Sequence, residues 1–200
     1  FNVYKSKIKM KNINFNNNKF GDDGINFINS EFNLENIHLK NIYADGLDLD
    51  FSYGKIKNFS CYECANDGID ISNTTLQLEN YKATKIKDKA LSIGENSIFN
   101  AKNIEIIDSN IGVAIKDGSI AKIDKIKIKL SKYPVTTYIK KREFGPAVLE
   151  INNLNLEENL NPILIEEGSK LKIDLENLNT IYKKNLFKIL YPNAEYKNIQ

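Results

Sequence analysis

Short apolar-polar alternations return along this chain at a nearly constant interval. FNLENIHL occupies 32–39, LQLENYKA 76–83 and FNAKNIEI 99–106. The same apolar-x-apolar-x-Asn-apolar-x-apolar phrase reads IKMKNINF at 8–15, GKIKNFSC at 54–61, AKIDKIKI at 121–128, LEINNLNL at 149–156 and LKIDLENL at 171–178. Successive copies start 24, 22, 22, 23, 22, 28 and 22 residues apart, the last slightly out of register. A second phrase keeps the same beat, beginning at Phe1, Gly24, Gly46, Gly68, Ala90, Gly112, Pro134 and Pro162.

Alternation over five to eight residues is a strand signal. A unit of about 22 residues is too short for a βαβ crossover and for most helical repeats, but it accommodates a coil of short strands. Stacked coils pair strand upon strand in parallel, about 4.8 Å apart. The pattern therefore predicts an all-β chain: a right-handed parallel β-helix of about eight coils over 1–180, with a C-terminal cap or tail over 181–200. Asn12, Asn36, Asn58, Asn80, Asn103 and Asn153 share one column. Asn tolerates the left-handed bend between two strands, and its amide can bond to the Asn of the next coil. An internal Asn ladder is expected, broken at Lys125. The glycines opening the second phrase are expected at positive φ. Ile56, Leu78, Ala101 and Ile123 should point inward. After Thr180 the repeat fades, and Leu186, Phe187, Ile189 and Leu190 are expected to cover the last coil.

Composition narrows the function classes. Twenty-eight basic residues face 26 acidic ones, for a net charge of +2, so the concentrated basic excess of a nucleic-acid binder is missing. No apolar run is long enough to span a membrane as a helix. The chain opens on Phe1 within an expected strand and with no signal peptide read in these residues, so an upstream region, removed or lying elsewhere in a longer protein, is expected. Cys61 and Cys64 form a CxxC without a second pair, and His38 is the only histidine. That falls short of a zinc ligand set. Cys61 is expected as a small buried core residue between Leu39 and Ala83, resistant to alkylation.

Chemistry concentrates on the outward columns of the second phrase. One runs Asn26, Asp48, Asp70, Ser92, Ala114, Thr136; the next runs Ile28, Asp50, Ser72, Gly94, Lys116, Tyr138. The turn column runs Asp23, Asp45, Asp67, Lys89, Ile111, Tyr133. Asp48 and Asp70 should be neighbours, and like charges opposed on paired strands are unfavourable. A bound cation, a raised pKa or lysines such as Lys89 and Lys116 would compensate. Asp48, Asp50 and Asp70 could hold calcium, which takes carboxylate oxygens. A close carboxylate pair is also compatible with retaining glycoside hydrolysis. A solvated face with Asp chosen for turns is the plainer alternative. The longest interruption, YIKKREFGPA at 138–147, brings Lys140, Lys141 and Arg142, which could meet an acidic glycan, a phosphate or the Asp columns, a solvated basic turn being the plainer alternative.

DGIDIS, LSIGENS, SNIGVAIKDGS and KKREFGPA, in that order, resemble the β-helix segments of CotH-like proteins across about residues 60–150. The repeat as a whole resembles the pectate-lyase-like superfamily, whose members often bind, cleave or epimerise polysaccharides. The resemblance rests on Asp67, Asp70, Ser72, Lys89, Glu95, Lys116, Asp117, Glu143 and Gly145. No kinase motif accompanies it, and His38 lies outside these phrases.

Two readings follow. In the first, the chain is a non-catalytic β-helix module of a larger extracellular or cell-surface protein. It would present Asp48, Asp50, Asp70, Ser72, Lys116, Tyr138 and Arg142 to a carbohydrate or protein partner, with no cofactor beyond calcium. In the second, it is a polysaccharide lyase, hydrolase or epimerase acting on an acidic glycan, with Asp48, Asp70, Lys89, Lys116 and Arg142 as the candidate catalytic groups.

Overall fold

The computed structural model describes residues 1–173 and 178–193. Fifteen strands account for most of them. In chain order they are β1 (Asn2–Tyr4), β2 (Lys7–Asn18), β3 (Ile25–Ile28), β4 (Glu31–Ile42), β5 (Leu47–Asp50), β6 (Tyr53–Cys64), β7 (Ile69–Ser72) and β8 (Thr75–Gly94). They continue as β9 (Ile98–Lys116), β10 (Ile120–Lys129), β11 (Tyr133–Tyr138), β12 (Val148–Glu157), β13 (Ile163–Glu166), β14 (Lys170–Ile173) and β15 (Thr180–Lys183). One short helix, α1 (Leu186–Leu190), follows.

Every pairing between these strands is parallel and joins one coil to the next. The long strands stack as Ile8, Phe32, Gly54, Leu76, Phe99, Ala121, Leu149 and Leu171, eight rungs in the register of the sequence repeat. The short strands stack beside them, through Leu47, Ile69, Leu91, Val113 and Val135. The chain is a parallel β-solenoid with one continuous apolar interior. Ile56, Leu78, Ala101 and Ile123 point into it, as do Phe27, Phe59 and Phe99.

Left-handed residues turn the corners. Asn12, Asn36, Asn58 and Asn80 lie at φ 56°, 56°, 57° and 61°. Their amides form a ladder: Asn36 donates to Asn12, Asn58 to Asn36 and Asn80 to Asn58, each at 2.8 Å, and Asn103 to Asn80 at 3.0 Å. The ladder runs along the outside of the bend rather than inside it. On either side of each Asn an apolar residue enters the core, as Leu34 and Ile37 do, so the two residues between both face out. The column also loses its αL conformation beyond Asn80. The unpaired residue of the bend shifts back by one, and Lys125 pairs regularly with Asn103 and Asn153.

The polar ladder inside is made of hydroxyls. Ser30, Ser52, Thr74, Ser97 and Ser119 are all buried. Each accepts the backbone N–H of the hydroxyl residue one coil earlier, at 2.9–3.1 Å, beginning with that of Ser6. Buried amides at this corner are thereby satisfied without water.

Two further expectations are corrected. Gly24, Gly46, Gly68 and Gly112 do not adopt positive φ. They are small because the next coil passes too close: a Cβ on Gly46 would lie 2.6 Å from both the Gly68 carbonyl oxygen and Cys61 Sγ. Cys61 does sit between Leu39 and Ala83, but it is joined to Cys64 in a disulfide rather than carrying a free thiol. Both turn inward at the end of β6, and their Cα atoms are 6.5 Å apart, within bonding reach.

The C-terminal stretch also differs from expectation. Parallel pairing continues through β15 on β13. The chain then reverses at Asn185 in the left-handed region, and α1 lies on the side of the solenoid. Leu186 and Leu190 pack with Ile111, Ala114, Tyr138 and Leu164, while Ile189 stays exposed.

Candidate functional site

The outward columns of the short strands are assembled as the repeat predicts. Asn26, Asp48, Asp70, Ser92, Ala114 and Thr136 are successive partners, and Asp50 faces Ser72. Their surroundings divide the face in two. On β3, β5 and β7, Asn26, Asp48, Asp50, Asp70 and Ser72 are half-buried. On β8, β9 and β11, Ser92, Lys116, Thr136 and Tyr138 are fully buried, although they point away from the interior. The cover comes from α1 and Tyr191: Phe187 stacks on Tyr138 at a centroid distance of 6.1 Å and lies tilted against Tyr191 at 5.2 Å.

The covered half holds two buried cations, each paired. Lys89 Nζ lies 3.0 Å from Asp67 Oδ1 and also bonds Asp88. The Tyr191 hydroxyl donates to both Asp88 oxygens, at 2.8 and 3.0 Å. Lys116 Nζ donates to Ser92 Oγ at 2.8 Å and lies 3.6 Å from Asp70 Oδ1. Burial lowers both lysine pKa values, but the surrounding acids outweigh it and hold both ammonium groups above the ordinary lysine value. Burial raises Asp70, yet Lys116 and a hydrogen bond from Ser92 leave it below the usual carboxylate range.

The half-open side has no such cations on its columns. Burial, then Asp50 and Asp70, push Asp48 up to about 8. Burial likewise raises Asp45 to about 6, and raises Asp50 and Asp23. Asp48 accepts a bond from the Asn26 amide at 3.0 Å. The turn-column acids serve the backbone: Asp23, Asp45 and Asp67 take the N–H groups of Asp45, Asp67 and Lys89 at 3.3, 2.7 and 3.0 Å.

Of the expected calcium ligands, the structure groups Asp70 with Asp45 and Asp67 instead of with Asp48 and Asp50; one oxygen from each of the three lies within 4.8 Å of the others. Asp45 Oδ1 is already engaged by Asp67 N and the Asn66 amide, and Asp67 Oδ1 by Lys89. With two ammonium groups beside these acids, the set does not fit a divalent cation.

The other candidates lie apart from this arrangement or support it indirectly. Arg142 is exposed in a 3-10 turn, Arg142–Phe144. Its loop is held by Asp117, which accepts the N–H groups of Lys140 and Lys141 at 2.7 Å, and by the Lys141–Glu95 ion pair. His38 lies on β4 against Ser60 at 2.7 Å. Asp88 and Tyr191 were not among the sequence candidates, and Phe187 was expected only as part of the C-terminal cover. Asp88 falls between repeat columns, and the two aromatics lie where the repeat has ended. No protein-family model, curated protein or solved structure matches the chain.

Among the described residues, no helix is long and apolar enough to cross a membrane.

Proposed function

We propose that this chain is a non-catalytic β-solenoid module of an extracytoplasmic protein, binding carbohydrate along the half-open strip of Asn26, Asp48, Asp50 and Ser72. The observation that carries this reading is the state of the candidate bases. Lys89 and Lys116 are buried, cationic and ion-paired, and a general base must be unprotonated and within reach of its substrate. The strip is a row of carboxyl, amide and hydroxyl groups at the spacing of successive coils, suited to sugar hydroxyls. Asp48, pushed up to about 8, can donate a hydrogen bond near neutral pH as well as accept one. The Cys61–Cys64 disulfide favours an oxidising compartment. The resemblance to CotH-like segments and to the pectate-lyase-like superfamily supports the carbohydrate part of this reading.

The test is calorimetric titration with neutral and acidic oligosaccharides, alongside an assay for shortened or unsaturated products. The reading expects binding that weakens at least tenfold in an Asp48→Ala/Asp50→Ala double variant, with no product formed. Turnover of any glycan that disappears in Asp70→Asn would contradict it.

A further inference from the structure

The Lys89–Asp67 pair has more parts than an ion pair requires. Lys89 Nζ is 3.0 Å from Asp67 Oδ1 and touches Asp88. Asp67 Oδ1 also accepts the backbone N–H of Lys89 at 3.0 Å. The Asp67 side chain is 2% exposed and that of Lys89 10%. The Tyr191 ring lies 5.5 Å from Lys89 Nζ and closes the site on the outside, while its hydroxyl orients Asp88. An amine, a carboxyl, a second carboxylate touching the amine and a donor on the carboxyl oxygen thus meet in a place poor in water.

We propose that Lys89 and Asp67 condense to an intramolecular isopeptide bond, with Asp88 carrying the proton. Asp88 takes a proton from the Lys89 ammonium. The freed amine attacks Asp67 Cγ, and the Nζ–Cγ bond forms. The charge that builds up on Oδ1 as the amine adds to the carboxylate is held by the Lys89 N–H, an oxyanion donor already in position. Asp88 returns the proton to Oδ2, the Cγ–Oδ2 bond breaks, and the second ammonium proton leaves with that oxygen as water. Ammonium and carboxylate become amide and water; charge and atoms balance, and no oxidant is needed. A dry site favours this direction, because the amide is uncharged where two charges were buried.

Burial pushes the Asp67 carboxyl above its ordinary value against the pull of Lys89, which suits a group that must lose oxygen as water. The neighbouring Lys116–Asp70 pair lacks the arrangement: its nitrogen is 3.6 Å from the carboxylate and bonds a hydroxyl, Ser92, in place of a second carboxylate. The new bond would tie β7's coil to the next across 22 residues of chain.

Mass spectrometry of the full chain, unfolded and with its disulfide reduced, tests this. The expected mass is lower than the sequence mass by one water, and proteolysis should yield a branched peptide joining Lys89 to Asp67. Lys89→Arg, which keeps the charge, should restore the full mass, and Asp88→Ala should slow the loss severalfold or stop it. Folded wild-type chain that retains the full mass after prolonged incubation at neutral pH overturns the proposal. A water loss mapped to other residues, or one unchanged in Asp88→Ala, overturns it equally.

Discussion

Asn80 shows what one residue contributes to such a stack. Its φ is 61°, and its amide donates to Asn58 and accepts from Asn103. Replacing it with Gly keeps the bend and removes the ladder bonds, which are solvent-exposed; the expected cost is about 1 kcal/mol. Replacing it with Ala adds the strain of a left-handed Cβ residue, about 1 kcal/mol more. Urea unfolding of Asn80→Gly and Asn80→Ala checks the order; equal losses would contradict the bend's role. Asp48 makes a separate prediction. Its carboxyl titrates near 8 in the folded chain and near 3.9 when unfolded. Between those values the folded state holds the extra proton, so stability falls as pH rises from about 4 to about 8. Asp45, near 6, adds to the lower part of that window. Asp48→Asn should flatten the upper part of a plot of unfolding midpoint against pH. The Asn column and the Asp columns were legible in the sequence because they repeat. The outward position of the Asn ladder was not, because period-two alternation cannot tell which side of a two-residue corner faces water.

At the scale of elements, the strands and their register follow from the alternation alone, since slipping by one residue would turn every apolar side chain outward. The 28-residue step was legible too, and the chain uses it for the loop that Asp117 and Glu95 hold. The hydroxyl ladder was not legible although Ser30, Ser52, Thr74, Ser97 and Ser119 keep the same spacing. A small polar residue between strands reads as an ordinary turn. The disulfide was not legible for a related reason: Cys61 and Cys64 occupy inward positions that suit small apolar residues. A buried thiol and a buried disulfide both resist alkylation in the native state. They separate on unfolding without reductant, where the disulfide leaves neither cysteine labelled and a thiol pair labels twice. Cross-linking so short a loop should stabilise the fold by about 2 kcal/mol, which reductant should remove from the unfolding free energy.

For the whole molecule, the tail decides how much of the side face is open. Repeat logic stops at the last coil, so nothing in the sequence indicated that α1 would fold back to cover Tyr138 and bring Tyr191 to Asp88 and Lys89. Deleting residues 185–200 should uncover Ala114, Tyr138 and Leu164. An exposed apolar patch of that kind promotes association, so the shortened chain should elute as a larger species and melt earlier. An equally stable monomer would argue that the cover is incidental. The account's central claim is that the buried Lys116–Asp70 pair of this face is fixed scaffold and not a poised acid-base pair. Side-chain NMR titration of Lys116 and Asp70 tests it most directly. The account predicts that Asp70 stays ionised to below the ordinary carboxylate value and that Lys116 keeps its proton above the ordinary lysine value. A Lys116 that loses its proton near neutral pH, or an Asp70 that gains one there, would contradict it.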